Sequence, residues 1–157
     1  MNIRSAVPQD QPALLDIWLG SVRKTHRFLV EADIQALLPH VQDYLSSPDA
    51  GLWVLCTDEG CPIGFMGLAG SSVESLFIAP DQVRRGGGQA LLAHARKLAT
   101  EPLRVDVNEQ NPDAVAFYLA AGFTVVSRSP TDDQGRPFPL LHLRENLANA
   151  GNCQEDP

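Results

Sequence analysis

The chain is short of positive charge: 12 lysines and arginines stand against 19 aspartates and glutamates, for a formal net charge of −7. A nucleic-acid binder neutralises phosphates with clustered Lys and Arg, so this balance argues against such a partner. It suits a cationic one better, although surplus acid by itself secures no more than solubility. Cysteine is scarce and unpaired. Cys56, Cys61 and Cys153 make an odd number with no CxxC spacing, which fits neither a disulfide-stapled secreted fold nor a zinc site, and reads as reduced thiols in a cytosol. No metal is expected, since His40, His94 and His142 lack ligand spacing and read as ordinary surface or core residues. No stretch approaches the roughly 20 apolar residues that cross a bilayer, and Met1-Asn2-Ile3-Arg4 does not begin a signal peptide. The expectation is a cytoplasmic protein with no membrane contact. Repeats, linkers and composition shifts are also missing, so the 157 residues read as one domain, 1–144, followed by a flexible polar tail at 145–157. A domain of that size buries about 68–70% of the surface its unfolded chain exposes and needs no staple.

The patterns that are present alternate between two periods. Residues 2–6 suggest a short strand, and Pro8, Asp10 and Pro12 open a helix with Leu14, Ile17, Trp18 and Val22 at helical spacing. Ile34, Leu37, Leu38, Val41 and Leu45 mark a second helix, closed by Ser46-Ser47-Pro48-Asp49. Strands are then predicted over 52–56 and 63–68, joined by the turn Thr57-Asp58-Glu59-Gly60 as an antiparallel hairpin, with a third over 73–78. A helical run follows at 89–100, an alternating strand at 103–107, and a helix from Pro112 that carries Ala114, Phe117, Tyr118 and Ala121 on one side and stops at Gly122. Residues 123–127 and 139–143 read as a final strand pair around Asp132-Asp133-Gln134-Gly135, with Pro137 and Pro139 suggesting a sheet edge.

Between the third strand and its helix lies Gln82-Val83-Arg84-Arg85-Gly86-Gly87-Gly88. Glycines there let backbone N–H groups converge, and the helix start adds about half a positive charge. Such a corner suits a diphosphate, with Arg84 and Arg85 as counter-charge. A flexible loop with solvated arginines explains the glycines equally well. It is not a P-loop, because no Lys follows the glycines until Lys97, and no GxGxxG opens an early βαβ unit.

Two blocks make the chain resemble the GNAT superfamily of acyl-CoA N-acetyltransferases. Residues 73–80 followed by Gly86-Gly87-Gly88-Gln89-Ala90-Leu91-Leu92 resemble that family's fourth strand, pyrophosphate loop and helix. Asn108-Glu109-Gln110-Asn111-Pro112, Ala114, Phe117-Tyr118 and Gly122-Phe123 resemble its second block. One departure stands out: Val83 occupies the place where the family has Gln or Arg. Either Arg84 and Arg85 take over that contact, or Arg85, Gly88 and Ala90 supply the pattern in a shifted register. Ile17-Trp18, Ser21-Val22, Thr25-His26, Phe28-Leu29 and the late 128–141 segment look like the bacterial YjaB-type branch. The resemblance implies an α/β (α+β) fold: a mixed, mostly antiparallel seven-stranded sheet flanked by about four helices and splayed between strands 4 and 5. It also implies acetyl-CoA as cosubstrate, with its pantetheine arm in the splay. Phe77, Ile78, Val83, Arg84, Arg85, Gly86, Gly87, Gly88, Gln89, Asn111, Phe117 and Tyr118 would hold it, and Trp18, Thr25, His26, Phe28 and Glu109 would line the acceptor pocket. Asn111 before Pro112 is also explained by helix capping alone.

The implied activity is transfer of acetyl from acetyl-CoA to a primary amine, on a small molecule or a protein lysine, by direct attack in a ternary complex. A non-catalytic acyl-CoA sensor is the alternative. The chemistry poses two proton problems. A lysine amine of pKa ~10.4 costs about 4.6 kcal/mol to deprotonate at pH 7, whereas an α-amine near ~8 costs about 1.4 kcal/mol. Glu74, by its place in the family pattern, is the leading base, with Glu109, Asp106 and His26 as alternatives. The leaving thiolate needs a donor, and by resemblance this is Tyr118. Full proton transfer from a phenol of ~10 to a thiolate of ~8.5 is uphill by about 2 kcal/mol, so a hydrogen bond to the sulfur suffices. The enzyme is expected to be a monomer or homodimer.

Overall fold

The computed structural model describes residues 1–25 and 29–146. β1, Asn2–Ser5, is followed by a 3-10 turn at Pro8–Asp10 and by α1, Gln11–Thr25. Arg4 grips both carboxylate oxygens of buried Asp10 at 2.8 and 2.9 Å, and Asp10 also accepts the Val7 amide. The Arg4 hydrogen bonds hold the Asp10 carboxyl below its ordinary range. β1 is thereby tied to the start of α1. α2, Glu31–Ser46, packs beside α1. The predicted stripe Leu14, Ile17, Trp18 and Val22 is buried, and with Ile34 and Leu45 of α2 it covers Val54, Cys56 and Phe65 on one face of the sheet.

That sheet comprises β2, Leu52–Cys56, β3, Pro62–Ala69, β4, Ser72–Ile78, β5, Arg104–Asn108, β6, Phe123–Ser129, and β7, Leu140–Glu145, together with β1. Its order is β1-β2-β3-β4-β5-β7-β6. Every neighbouring pair is antiparallel except β4 and β5. On the second face, α3, Gly87–Leu98, and α4, Pro112–Ala120, enclose a core of Leu55, Leu91, Leu92, Val105, Val107 and Leu143. The alternation in β5 sends Val105 and Val107 into this core and leaves Arg104 and Asp106 exposed. No helix among the described residues is long and apolar enough to cross a membrane.

Three boundaries differ from the sequence expectation. α3 starts at Gly87, because the helix begins on glycines that carry no apolar signal. β7 is internal, between β5 and β6; Pro137 and Pro139 precede it, where no ladder hydrogen bond is needed, and β6 is the true edge. β7 also reaches Glu145, whose carboxylate accepts from Arg96 at 2.7 Å and from the Leu103 amide at 3.0 Å, so the first residue assigned to the tail is anchored.

Candidate functional site

The site exists because the sheet opens along one seam. β4 and β5 pair only through Ser72–Arg104 and Val73–Val105. β4 then continues along β3 as far as Ile78, and β5 along β7 as far as Asn108, with no shared ladder. The cause lies in β4. Gly67 faces Ser75 while Leu68 faces Val73, which leaves Glu74 as the extra residue of a bulge. A bulge bends its strand, re-aims a side chain and ends pairing. The bend thus falls one residue after the last β4–β5 pair and puts Glu74 at the mouth of the opening.

Ser75 locks the bulge. Its Oγ accepts the Gly67 amide at 3.0 Å and lies 2.8 Å from the Tyr44 hydroxyl of α2. Burial raises the Tyr44 phenol pKa, with the Ser75 hydrogen bond acting in the opposite direction. A Cβ on Gly67 would overlap the Tyr44 oxygen and approach Ser75 Oγ to 2.8 Å. Gly67→Ala is therefore expected to lower stability by about 1–3 kcal/mol, a loss of roughly 2–4 °C in Tm for each kcal/mol. Adding Tyr44→Ala should relieve the overlap, so thermal melts of the single and double variants check the assignment.

The opening leads into a cleft of about 840 Å³. One wall is β4 from Val73 to Ile78, and the other is formed by β5 and by Asn111, Ala114, Phe117 and Tyr118 of the α4 region. The loop before α3 adds Val83, Arg84, Gly86, Gly87, Gly88 and Gln89 to the lining. Arg84 has φ 64° and Gly86 φ 87°. A left-handed non-glycine residue is strained by about 1–3 kcal/mol, a cost found where a loop clamps a ligand, and such turns gather N–H groups into an anion-binding concavity. The first bond of α3 runs from the Ala90 amide to the Gly86 carbonyl. The amides of Gly87, Gly88 and Gln89 therefore have no acceptor within the helix. Gly87 and Gly88 also permit close packing, since a Cβ would come within 2.7 Å of Leu55 and 2.8 Å of Phe117 respectively.

Tyr118 lies on α4 and lines the cleft. Its ring packs edgewise between Phe117 and Phe123, at centroid distances of 5.0 and 5.4 Å. Its hydroxyl has no hydrogen-bond partner among the described residues, and Tyr118 lines the cleft. Burial pushes its phenol pKa well above the ordinary value. Asn111, 5% exposed, caps α4 by accepting the Ala114 amide at 3.3 Å.

A second hollow of about 310 Å³ shares Val73, Glu74, Asp106 and Asn108 with the first. Beyond them it is lined by Leu29 and Leu37 and by the turn that carries Asp132, Asp133 and Arg136. Four carboxylates thus border it. Asp106 Oδ1 lies 2.6 Å from His142 Nδ1, and His142 Nε2 lies 2.6 Å from Ser129 Oγ.

Of the residues singled out from sequence, Glu74, Phe77, Ile78, Val83, Arg84, Gly86, Gly87, Gly88, Gln89, Asn111, Phe117 and Tyr118 come together around the cleft. Arg85 is exposed and lines neither hollow, so Arg84 is the arginine that faces the cleft. Trp18 is 6% exposed within the α1–α2 core and lines neither hollow. Glu109 is also outside both; Arg128 holds it with bonds of 2.5 and 3.0 Å, and that pairing lowers the Glu109 carboxyl pKa. Thr25 ends α1. His26 and Phe28 lie outside the described residues. Sequence reasoning read His142 as ordinary and did not place Ser129 beside it or the 132–136 turn beside a hollow. The alternation of β5 was the one available signal, since it placed Asp106 on the face opposite Val105 and Val107. Among the described residues, no group of three or more His, Cys, Asp or Glu is arranged to hold a metal.

Comparison with known proteins agrees with this architecture. A family model described as the acetyltransferase (GNAT) family matches residues 15–123. The chain is 46% identical over 143 residues to the peptidyl-lysine N-acetyltransferase YjaB of Salmonella typhimurium, covering 91% of this chain and 97% of that one. It is 42% identical to the YjaB of Escherichia coli K12, with coverage of 91% and 95%. The solution structure of apo-form Escherichia coli YjaB superposes with a TM-score of 0.84 at 41% identity, covering 91% of this chain and 95% of that chain. The PaiA N-acetyltransferase of Thermoplasma acidophilum, crystallised with coenzyme A, shares the fold at a TM-score of 0.72 and 20% identity, covering 92% and 98%.

Proposed function

This chain belongs to the GNAT family of acetyltransferases, and on that premise we propose that its acceptor is the side-chain amine of lysine in a protein or peptide. With acetyl-CoA as the acyl donor in this reading, the chain is an N-acetyltransferase, as the family and the named relatives show. That decides between the enzyme and the non-catalytic sensor. The finer assignments follow from the residues.

The cleft fits coenzyme A in three respects. The left-handed turn at Arg84 and Gly86 and the free amides of Gly87, Gly88 and Gln89 suit the diphosphate, with Arg84 as counter-charge. Backbone amides supply most of this anion capture, so Val83 does not deprive the loop of its function. The β4 edge beyond Val73 has no β5 neighbour and suits the amides of the pantetheine arm. Tyr118 offers the sulfur a protonated hydroxyl that has no other partner among the described residues.

The observation that carries the lysine assignment is the second hollow, where Glu74, Asp106, Asp132 and Asp133 outnumber the single cation Arg136, and which shares Glu74 and Asp106 with the cofactor cleft. A cationic side chain entering there meets opposite charge, while its nitrogen is led toward the thioester. Glu74 has no hydrogen-bond or ion-pair partner among the described residues and would hold the ammonium. Asp106, already oriented by His142, would accept the proton. Attack by the free amine on the thioester carbonyl then forms the amide, and Tyr118 donates a hydrogen bond to the departing sulfur. The free thiols Cys56 and Cys61 suit a reducing cytoplasm.

The test is thiol release from acetyl-CoA with a lysine peptide whose α-amine is blocked. Turnover that weakens as salt screens the acidic hollow is expected. Release only with polyamines or free α-amines would overturn the lysine assignment. Acetyl-CoA at about 100 times its Kd should add about 2.7 kcal/mol of stability, which corresponds to roughly 5–10 °C in Tm.

A further inference from the structure

Asp106 is the inner end of a hydrogen-bonded chain that crosses three strands. Asp106 and His142 sit directly opposite each other in the β5–β7 ladder, and Ser129 comes from the last pair of the β6–β7 ladder. Both links are short, at 2.6 Å each. Ser129 reaches His142 because β6 is irregular: Val125 faces Leu143 and Ser127 faces His142, so Val126 is the extra residue of a bulge. The strand segment after that bulge delivers the serine hydroxyl to the imidazole.

Donor and acceptor chemistry orders this chain. An ionised carboxylate only accepts, so the proton on the His142 ring belongs on Nδ1, facing Asp106. In the neutral imidazole Nε2 is then an acceptor, and the Ser129 hydroxyl can donate to it. One tautomer satisfies both contacts. His142 lines neither hollow, whereas Asp106 lines both. Asp106 has no hydrogen-bond partner other than His142 among the described residues. The imidazole therefore occupies Oδ1 and leaves Oδ2 available.

We propose that His142 is a positioning residue for the acceptor end of the site: it fixes the Asp106 carboxylate so that Oδ2 meets the incoming amine, and Ser129 fixes the tautomer that lets it do so. This rests on the reading that the acceptor nitrogen enters beside Asp106. An unsupported aspartate on an exposed strand position samples several rotamers, and a proton acceptor must be held close to one geometry. The proton path stays simple: the amine's N–H bond breaks, the proton passes to Asp106 Oδ2, and the nitrogen's lone pair becomes available for attack. His142 keeps its own proton on Nδ1 throughout.

Two variants separate positioning from a general cross-strand tie. In His142→Asn the side-chain amide nitrogen falls near the place of Nδ1 and can still donate to Asp106. In His142→Gln it falls near the place of Nε2, so contact with Ser129 is kept and contact with Asp106 is lost. With a blocked lysine peptide, His142→Gln is expected to lose about tenfold to a hundredfold in kcat/KM, the effect of removing one hydrogen bond to a charged group. His142→Asn should stay within about threefold of wild type, because the donor is preserved. Ser129→Ala should fall between them. The acetyl-CoA affinity of all three, measured by calorimetry, should be unchanged. Equal activity of the Asn and Gln variants, whether near wild type or equally impaired, would overturn the proposal, and so would a loss that follows Tm alone. Wild-type enzyme inactive on every lysine peptide would instead sink the acceptor assignment, a result visible before any variant is made.

Discussion

Replacing Tyr118 with Phe is expected to lower kcat by about a hundredfold to a thousandfold, the cost of removing one hydrogen-bond donor from a developing negative charge, while acetyl-CoA binds with its Kd nearly unchanged. The side chain is 6% exposed and its ring is held by packing against Phe117 and Phe123, contacts that Phe reproduces. The hydroxyl has no partner among the described residues, so deleting it breaks no hydrogen bond that supports the fold. The variant should be as stable as wild type or slightly more so, because a poorly solvated hydroxyl costs free energy in the folded state. Burial raises the phenol's pKa, which keeps it protonated across the neutral and moderately alkaline range. It also makes complete proton transfer to a thiolate of ~8.5 more uphill than it is for a phenol in water. On the proposed mechanism the side chain would act as a hydrogen-bond donor to sulfur, and no alkaline loss of kcat below pH about 10 should originate from it. Thiol-release kinetics alongside calorimetry check this. Undiminished kcat would remove Tyr118 from the chemistry, and a parallel loss of binding and rate would mean that the ring rather than the hydroxyl matters.

Much of the fold was legible because it is written in local periods. The stripe Leu14, Ile17, Trp18, Val22 and the alternation around Val105 and Val107 each reflect one burial face, and one face is what a helix or half-buried strand needs. Strand order is a long-range property. Pro137 and Pro139 spoke for an edge, yet they sit in the connection before β7, and the strand they precede lies inside the sheet. The cleft was legible wherever the loop and the α4 block are contiguous in sequence. The second hollow was not. Glu109 lies within a recognisable motif, but Arg128, 19 residues away, holds it outside both hollows. His142 looked ordinary because the carboxylate it contacts is 36 residues away. The bulge that re-aims Glu74 depends on how Gly67 and Leu68 register against Ser75 and Val73, a feature of the strand pair that neither strand carries alone.

The two carboxylates at the mouth should separate by the kind of loss each produces. Asp106→Asn keeps an oxygen that can accept from His142 but removes the proton acceptor. For a lysine acceptor it should lower kcat/KM by about a hundredfold to a thousandfold, within the range for a positioned general base. The size of that loss depends on the acceptor. A lysine amine needs about 4.6 kcal/mol to become free base at pH 7, whereas an amine with a pKa near ~8 needs about 1.4 kcal/mol. The weaker amine depends less on the enzyme for deprotonation, so its loss in Asp106→Asn should shrink to about tenfold or less. For the same reason the gap between variant and wild type on lysine should narrow as pH rises toward ~10.4, where the free amine forms without help. Glu74→Gln removes a charge that attracts the ammonium in the bound substrate and in the transition state alike. It should raise KM with kcat almost unchanged, and the amine's pKa should matter little to its effect. A series of peptides carrying amines of graded basicity, assayed against both variants over a range of pH, measures all of this. A loss in Glu74→Gln that grows with amine basicity, with Asp106→Asn insensitive to it, would reverse the two roles and make the bulge residue the base.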